Sequence, residues 1–262
     1  LIQRGTGKLA WMSYPGGENK PRLSVVIPTL NEDGYAGDLL RDLEGQTEPP
    51  DEIIVVDAGS SDGTAALVKG FAGARLLHGS RPVANGRNLG ARAAQGEVLV
   101  FLDADVRIGE DFLERLADEF GRRNLDIACP AYRPDNSTRS VEVLHEVVNA
   151  LIKNLQHILP SGSGAALVVR RSLFVEGRGF DPGLKFDDLE FVRRFARGKR
   201  FGVLAQEVRV SDRRYRKEGL AKPALRYSLL ALLFALGLFR LANAIGYEFG
   251  QHEAPARDNP GE

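Results

Sequence analysis

The sequence predicts an α/β fold, with a mostly parallel central sheet flanked by helices and an apolar helix near the C-terminus. Short β-branched apolar runs recur at 23–27 (LSVVI), 53–56 (IIVV) and 98–102 (VLVFL). Each is too short for a helix and lacks polar alternation, as expected of strands covered on both faces. Segments with helical spacing lie between them, and strands alternating with helices give a parallel sheet. Such sheets bind ligands beyond the carboxyl ends of their strands, and Pro28, Asp57 and Asp103 lie at those ends.

The elements follow in order. Pro28 stops the first strand. Leu39, Leu40 and Leu43 set a helix over 37–46, which Pro49 and Pro50 end. The second strand closes at Asp57; a Gly/Ser turn over 59–63 leads into a helix over 64–69, and 74–77 reads as a third strand. Residues 85–95 are alanine-rich and helical, and 98–102 form the fourth strand. Over 110–120, Phe112, Leu113, Leu116 and Phe120 share one helical face. Residues 140–158 read as a long amphipathic helix with Leu144, Val147, Val148, Leu151, Leu155 and Ile158 on its apolar side. A strand over 164–169 and a helix over 187–197 follow. There is no internal repeat. The organisation predicted is an arm over 1–20, one domain over 21–217, and an apolar helix with a polar tail over 218–262.

The composition is that of a globular chain: 262 residues, 43% hydrophobic and 27% charged. Lys and Arg together number 35, as do Asp and Glu, so the net charge is zero. A balanced chain lacks the global attraction that nucleic acid demands. The single cysteine, Cys129, excludes an internal disulfide and a cysteine-based zinc site. It sits in an apolar stretch over 125–129 and reads as a buried thiol. A reducing, cytoplasmic compartment fits this. Residues 1–20 lack the apolar core of a secretory signal.

Asp103-Ala104-Asp105 is the sharpest chemical feature. Paired carboxylates after a buried strand suit Mg²⁺ or Mn²⁺ held jointly with substrate phosphates. A solvated turn capping the next helix is the plain alternative. Asp57 closes its strand in the same way and suits a base or ribose hydroxyls, or simply the turn. Arg87, in ANGRN, suits a base or diphosphate, or a surface position. Asp187 and Asp188 open a helix; they complement its dipole, and one of them suits a general base. Arg213, Arg214, Arg216 and Lys217 form a basic cluster fit to clamp a diphosphate or meet anionic lipid.

Taken together, these pieces resemble the family-2 glycosyltransferases, inverting enzymes of the GT-A fold. The resemblance runs from about residue 23 to 217: SVVIPTLNE (24–32), VVDAGSSDGT (55–64), GRNLGARAAQGEVLVFLDAD (86–105), and GSGAALVVRRSLF (162–174) followed by GRGFDPGLKFDDLEF. It implies that Pro28, Thr29 and Glu32 line a nucleotide pocket and that Asp57 and Arg87 contact the base. It implies that Asp103 faces the ribose and the metal, and that Asp105 binds the metal bridging the diphosphate. Asp188 matches the catalytic base, with Asp187 the next candidate. Ser161 and Gly162 fall on the acceptor side, and Arg213 and Arg214 where the diphosphate is held. The implied cofactor is Mn²⁺ or Mg²⁺, and the implied donor a UDP- or GDP-linked sugar. The chain departs from the family pattern at Ala58 and Asp187, where Asp and Glu are usual. It also lacks the Gln-x-x-Arg-Trp motif of processive synthases, so transfer of single sugars is expected.

The segment over 227–247 (YSLLALLFALGLFRLANAIGY) is mostly apolar. As one helix of 21 residues it reaches roughly 30 Å, the thickness of a bilayer core. Basic residues precede it and Glu248, Glu253 and Asp258 follow, which fits a domain on the cytoplasmic face of a membrane. A lipid-linked acceptor such as a polyprenyl phosphate is then expected. Arg240 and Asn243 oppose a clean span and suit a helix lying in the interface or packed on the domain. Two rival functions remain at this stage. One is a haloacid-dehalogenase-like phosphatase with Asp103 as nucleophile, which leaves everything before Val98 unexplained. The other is a non-catalytic nucleotide-sugar-binding membrane scaffold.

Overall fold

A computed structural model describes residues 20–135, 137–162, 164–211, 215, 218, 219 and 221–245. The arm over 1–19, the clamp residues Arg213 and Arg214, and the tail from 246 onward lie outside the described residues.

The strands are β1 (Leu23–Thr29), β2 (Glu52–Asp57), β3 (Ala74–His78), β4 (Val98–Leu102), β5 (Val106–Arg107), β6 (Ile127–Asp135), β7 (Ala166–Arg170) and β8 (Phe201–Ser211). The helices are α1 (Ala36–Glu44), α2 (Thr64–Lys69), α3 (Val83–Ala93), α4 (Phe112–Arg122), α5 (Arg139–Leu155), α6 (Arg171–Glu176) and α7 (Asp187–Phe195). Two more, here α8 (Ala221–Ala235) and α9 (Phe239–Ala242), complete the described chain.

All eight strands join one sheet in the order β3-β2-β1-β4-β7-β6-β8-β5. β1, β2, β3 and β4 pair in parallel, as do β6 and β8, while β7 and β5 run against their neighbours. The fold is therefore α/β with a mostly parallel sheet, as predicted. The chain leaves β1 toward β2 and β3, then returns to β1's other side as β4. That reversal opens a crevice at the carboxyl ends of β1 and β4, the place where such sheets hold ligands.

Every residue of β1 and β4 is buried; β4 is accordingly an unbroken apolar run, and β1 is apolar apart from Ser24 and Thr29. Helix α3 lies very close to them. A Cβ on Gly90 would stand 2.4 Å from Val26 Cγ1, and one on Gly86 would stand 3.3 Å from Pro28 Cβ. Glycine is required there by the approach of the helix to the sheet, not by a turn.

Two expectations are corrected. The apolar row of α5 does not face the core: Val147, Val148, Leu151, Leu155 and Ile158 are exposed, Ile158 by 83%. The helix seats instead through Val141 and Ile152, and through Asn149, which accepts from Tyr132 N at 3.1 Å and donates to Tyr132 O at 2.8 Å. A polar side chain that completes a strand's backbone bonding can hold a helix where leucines do not. Second, 227–247 is not one helix. α8 ends at Ala235, Gly237 adopts a φ of +74°, and the chain turns into the short α9. Among the described residues no helix is long and apolar enough to cross a membrane.

Candidate functional site

The site is built around one buried cation. Arg87 projects from the first turns of α3 with its side chain 5% exposed. Its Nη1 donates to both carboxylate oxygens of Asp187 at 3.1 Å, and its Nη2 donates to Asp103 Oδ1 at 2.9 Å. The guanidinium lies 5.4 Å from the ring centre of Phe180. Its other side is covered by Gly164, where a Cβ would come within 2.1 Å of Nη2. Arg87 is thus a clamp joining the end of β4 to the start of α7. The family resemblance implied contact with a base, whereas Nη1 and Nη2 are turned to carboxylates and Nε is buried with no hydrogen-bond partner among the described residues.

The charges around it are unequal. Asp187 is 2% exposed and Asp103 is 35% exposed. Burial pushes the Asp103 carboxyl up; Arg87 opposes this while Asp105 and Asp188 add to it, and it settles at about 7. Burial also pushes Asp187 up to about 6, with Arg87 opposing and Asp188 adding. Burial disfavours the charge on Arg87, but Asp187, Asp103 and Asp188 outweigh it and hold the guanidinium ionised. Asp105 and Asp188 thus crowd Asp103 with negative charge at the end of β4.

Asp188 stands beside Asp187 at the start of α7 but turns elsewhere. Gly164 N donates to its Oδ2, and Leu189 N donates to its Oδ1 at 2.8 Å. It is half-buried and not tied up by Arg87. Of the two acidic residues, Asp187 is the one paired with Arg87, while Asp188 accepts from backbone N–H groups. Ser161 and Gly162 lead into this segment. Cys129 Sγ donates to Ser161 O at 3.5 Å, and a Cβ on Gly162 would stand 3.1 Å from Cys129 Cβ. Cys129 is buried as expected, and burial pushes its thiol up to about 12.

Pro28, Thr29 and Asp57 form a second group at the ends of β1 and β2, where Thr29 and Asp57 are register partners. Asp57 is buried, and its carboxylate accepts from Ser60 N at 3.1 Å and from the Ser60 hydroxyl. Thr29 Oγ1 lies 3.4 Å from Asp57 Oδ1. The loops beyond are cross-tied. Asn31, at φ +57°, donates its N–H to Ser60 Oγ at 2.8 Å and accepts from Ser61 N at 2.9 Å. Glu32 N donates to Thr64 Oγ1 at 2.8 Å. Pro28, Thr29, Glu32 and Asp57 thus lie along one cross-tied wall, whereas Arg87 and Asp103 form the separate clamp, and Gly86, packed on Pro28, connects the two.

Sequence reasoning missed Asn88, Asn31 and Ser60. Asn88 Nδ2 donates to Phe180 O and its Oδ1 accepts from Phe180 N, both at 2.8 Å. This pins Phe180 beneath Arg87, and Phe180 in turn stacks on Phe191 at 4.1 Å. The signal was present: an amide directly after the arginine, and Gly179 at φ +69° before Phe180.

A parallel sheet with its switch point between β1 and β4, and with carboxylates and a cross-tied loop wall at the strand ends, defines an α/β fold of the doubly wound class. Residues 24–176 match the family model described as Glycosyl transferase family 2, and the chain belongs to that family. Validoxylamine A glucosyltransferase of Streptomyces hygroscopicus subsp. limoneus is 36% identical over 129 residues, covering 44% of this chain and 28% of that protein. An uncharacterized glycosyltransferase of Bacillus subtilis, EpsJ, is 27% identical over 126 residues, covering 46% of this chain and 37% of that protein. The matched stretch thus spans well under half of these relatives. A mannosyltransferase of Pyrobaculum calidifontis, solved with GDP-Man and Mn²⁺, superposes with a TM-score of 0.63 at 21% identity, covering 91% of this chain and 81% of that one. The S. aureus TarS structure superposes at 0.59 and 19% identity, over 81% of this chain and 40% of that one. These likenesses carry the fold, in agreement with the GT-A expectation.

Proposed function

We propose that this chain transfers a single sugar from a UDP- or GDP-linked donor to an acceptor, with inversion at the anomeric carbon. The observation that carries this is the meeting of Asp103, Asp105 and Asp188 in one crevice, set by the Arg87 clamp, in a chain of this family. Pro28, Thr29, Glu32 and Asp57 form the wall for the nucleoside. Asp188 takes the proton as an acceptor hydroxyl attacks the anomeric carbon. The bond from that carbon to the diphosphate oxygen breaks, and its electron pair leaves with the nucleoside diphosphate. A phosphate acceptor is already anionic and has no proton to give up. Asp187 acts at one remove, fixing Arg87 and hence Asp103.

The donor set fits a divalent cation. Asp103 and Asp105 are two oxygen-bearing groups with crowded negative charge, and among the described residues no group of three His, Cys, Asp or Glu is placed to hold a metal by protein ligands alone. Mg²⁺ and Mn²⁺ favour such open sites, completed by substrate phosphates. Bound there, the ion would neutralise charge developing on the departing diphosphate. Arg213 and Arg214, outside the described residues, are assigned to the same diphosphate. The likeness of the Pyrobaculum mannosyltransferase, solved with GDP-Man and Mn²⁺, supports this reading.

Calorimetric titration with UDP and with GDP, in Mn²⁺ and then in chelator, tests it. One nucleotide should bind in Mn²⁺, and Asp105→Ala or chelation should weaken it by tenfold or more, about 1.4 kcal/mol. Absence of binding by either nucleotide under every metal condition would overturn the reading. Once a donor is known, the anomeric configuration of product by NMR decides inversion.

A further inference from the structure

The hairpin of α8 and α9 has an inner face packed on the domain and an outer face that is exposed among the described residues. Leu230, Phe234 and Ala242 are buried against Phe186 and Leu189. Arg193 Nη1 donates to Phe234 O at 2.6 Å. Lys185 Nζ donates to Asn243 O at 2.9 Å and Ile245 O at 3.0 Å, and Asn243 Nδ2 donates to Gly183 O at 2.9 Å. The hairpin is therefore docked on the segment that leads directly into Asp187 and Asp188.

The outer face is a leucine row. Leu225, Leu229, Leu232 and Leu236 are spaced as one helical stripe and are 73%, 45%, 56% and 63% exposed; Leu238 and Leu241 extend it, at 40% and 59%. A helix facing water carries polar residues outward, and this one does the reverse. Cations bracket the row: Lys222 is exposed one turn before Leu225, and Arg240 is exposed between Leu238 and Leu241. Between 219 and 247 the sequence contains no Asp or Glu, and Arg226 is answered by Glu218 just outside that stretch, at 2.9 Å.

We infer that the α8–α9 hairpin lies flat on an anionic lipid surface, leucines in the acyl boundary and Lys222 and Arg240 at the headgroups. Apolar residues bracketed by cations match that surface in both chemistry and charge. Long basic side chains reach headgroups from a helix whose body is in the boundary. Two such faces packed together would set cations against cations with no carboxylate between 219 and 247 to pair them. The hairpin rests on the surface and does not span it, because α8 has 15 residues and its inner face is tied to the domain. The lipid surface then adjoins the acceptor side of the crevice. The binding itself is read without turnover, so it stands or falls separately from the transfer reaction.

Vesicle co-sedimentation of the full chain tests this, with phosphatidylcholine alone and with phosphatidylglycerol added. The protein should pellet with the anionic vesicles and be released as salt rises. Lys222→Ala with Arg240→Ala should weaken binding roughly 25-fold, about fivefold for each cation. Leu229→Glu with Leu232→Glu should abolish it while circular dichroism and nucleotide binding stay as in the parent. A protein that stays in the supernatant with both vesicles would overturn the inference. So would a dimer in light scattering that the leucine variant splits without any vesicle binding, because the face would then belong to a second copy.

Discussion

Replacing Arg87 by Met removes the clamp's charge while keeping most of its volume over Phe180. Two carboxylates then lose their partner. Asp187, 2% exposed, has nowhere to turn, whereas Asp103, 35% exposed, regains water. Breaking a buried pair from one side costs about 3–5 kcal/mol, and the open position of Asp103 places this case near the lower end, roughly 3–4 kcal/mol. For a chain of this size that lowers Tm by about 10 °C. Asp187→Asn alone should cost about 2 kcal/mol, since an amide still accepts one guanidinium bond. The double variant is the informative one. With Asn at 187 no buried charge is stranded, so the two losses should fall short of adding by about 2 kcal/mol. Urea unfolding of the four proteins measures this. Additivity within about 0.5 kcal/mol would refute the clamp, because it would mean that the two side chains do not feel each other in solution.

Three further outcomes follow from the same structure. Gly90→Ala places a methyl 2.4 Å from Val26 Cγ1, so despite better helix propensity it should destabilise by about 1–2 kcal/mol in urea melts. Cys129, buried with its thiol pushed up to about 12, should resist iodoacetamide at pH 8 in the native protein and react once unfolded in urea, as read by mass spectrometry. Asp126 is raised by burial but lowered more by hydrogen bonds from Arg200 and the charges of Arg200 and Arg170, so it sits below its ordinary value. Its folded pKa being depressed, its contribution is present above the unfolded pKa of about 3.9 and lost as pH falls through the folded value. The stability gap between parent and Asp126→Asn should therefore close in acid melts below about pH 4.

The parallel half of the sheet was readable because its strands are buried on both faces and its helices alternate with them. Helix α2 over Thr64–Lys69 and strand β4 over Val98–Leu102 fall where periodicity places them. The other half was readable only at β7, which falls on the strand expected over 164–169. β6 carries Pro130 and Pro134 and a register shift between Cys129 and Ala131, and proline within a run argues against a strand. β8 pairs with β6 over that irregular length, so missing one hid the other. In the site, Asp103 and Asp105 were visible as a motif at a strand end. The resemblance put Asp188 before Asp187 as base, but the pairing of Asp187 with Arg87 was not visible, because it depends on which of two adjacent carboxylates meets an arginine a hundred residues away. Helical spacing likewise located the apolar row of α5 but not the direction it faces, with Val141, Asn149 and Ile152 turned to the domain instead.

The glycine seam beneath α3 has a bearing on how this protein tolerates change. Gly86 and Gly90 let the helix rest directly on β1, and Arg87 rides between them. The depth at which the guanidinium sits is thus set by bare backbone against valine and proline, with no side chain to yield. Ordinary cores absorb a misfit by rotamer adjustment and hide it from the surface. Here a misfit would be passed on as a displaced positive charge, so a mutation in the hydrophobic interior could appear in assays as an electrostatic lesion.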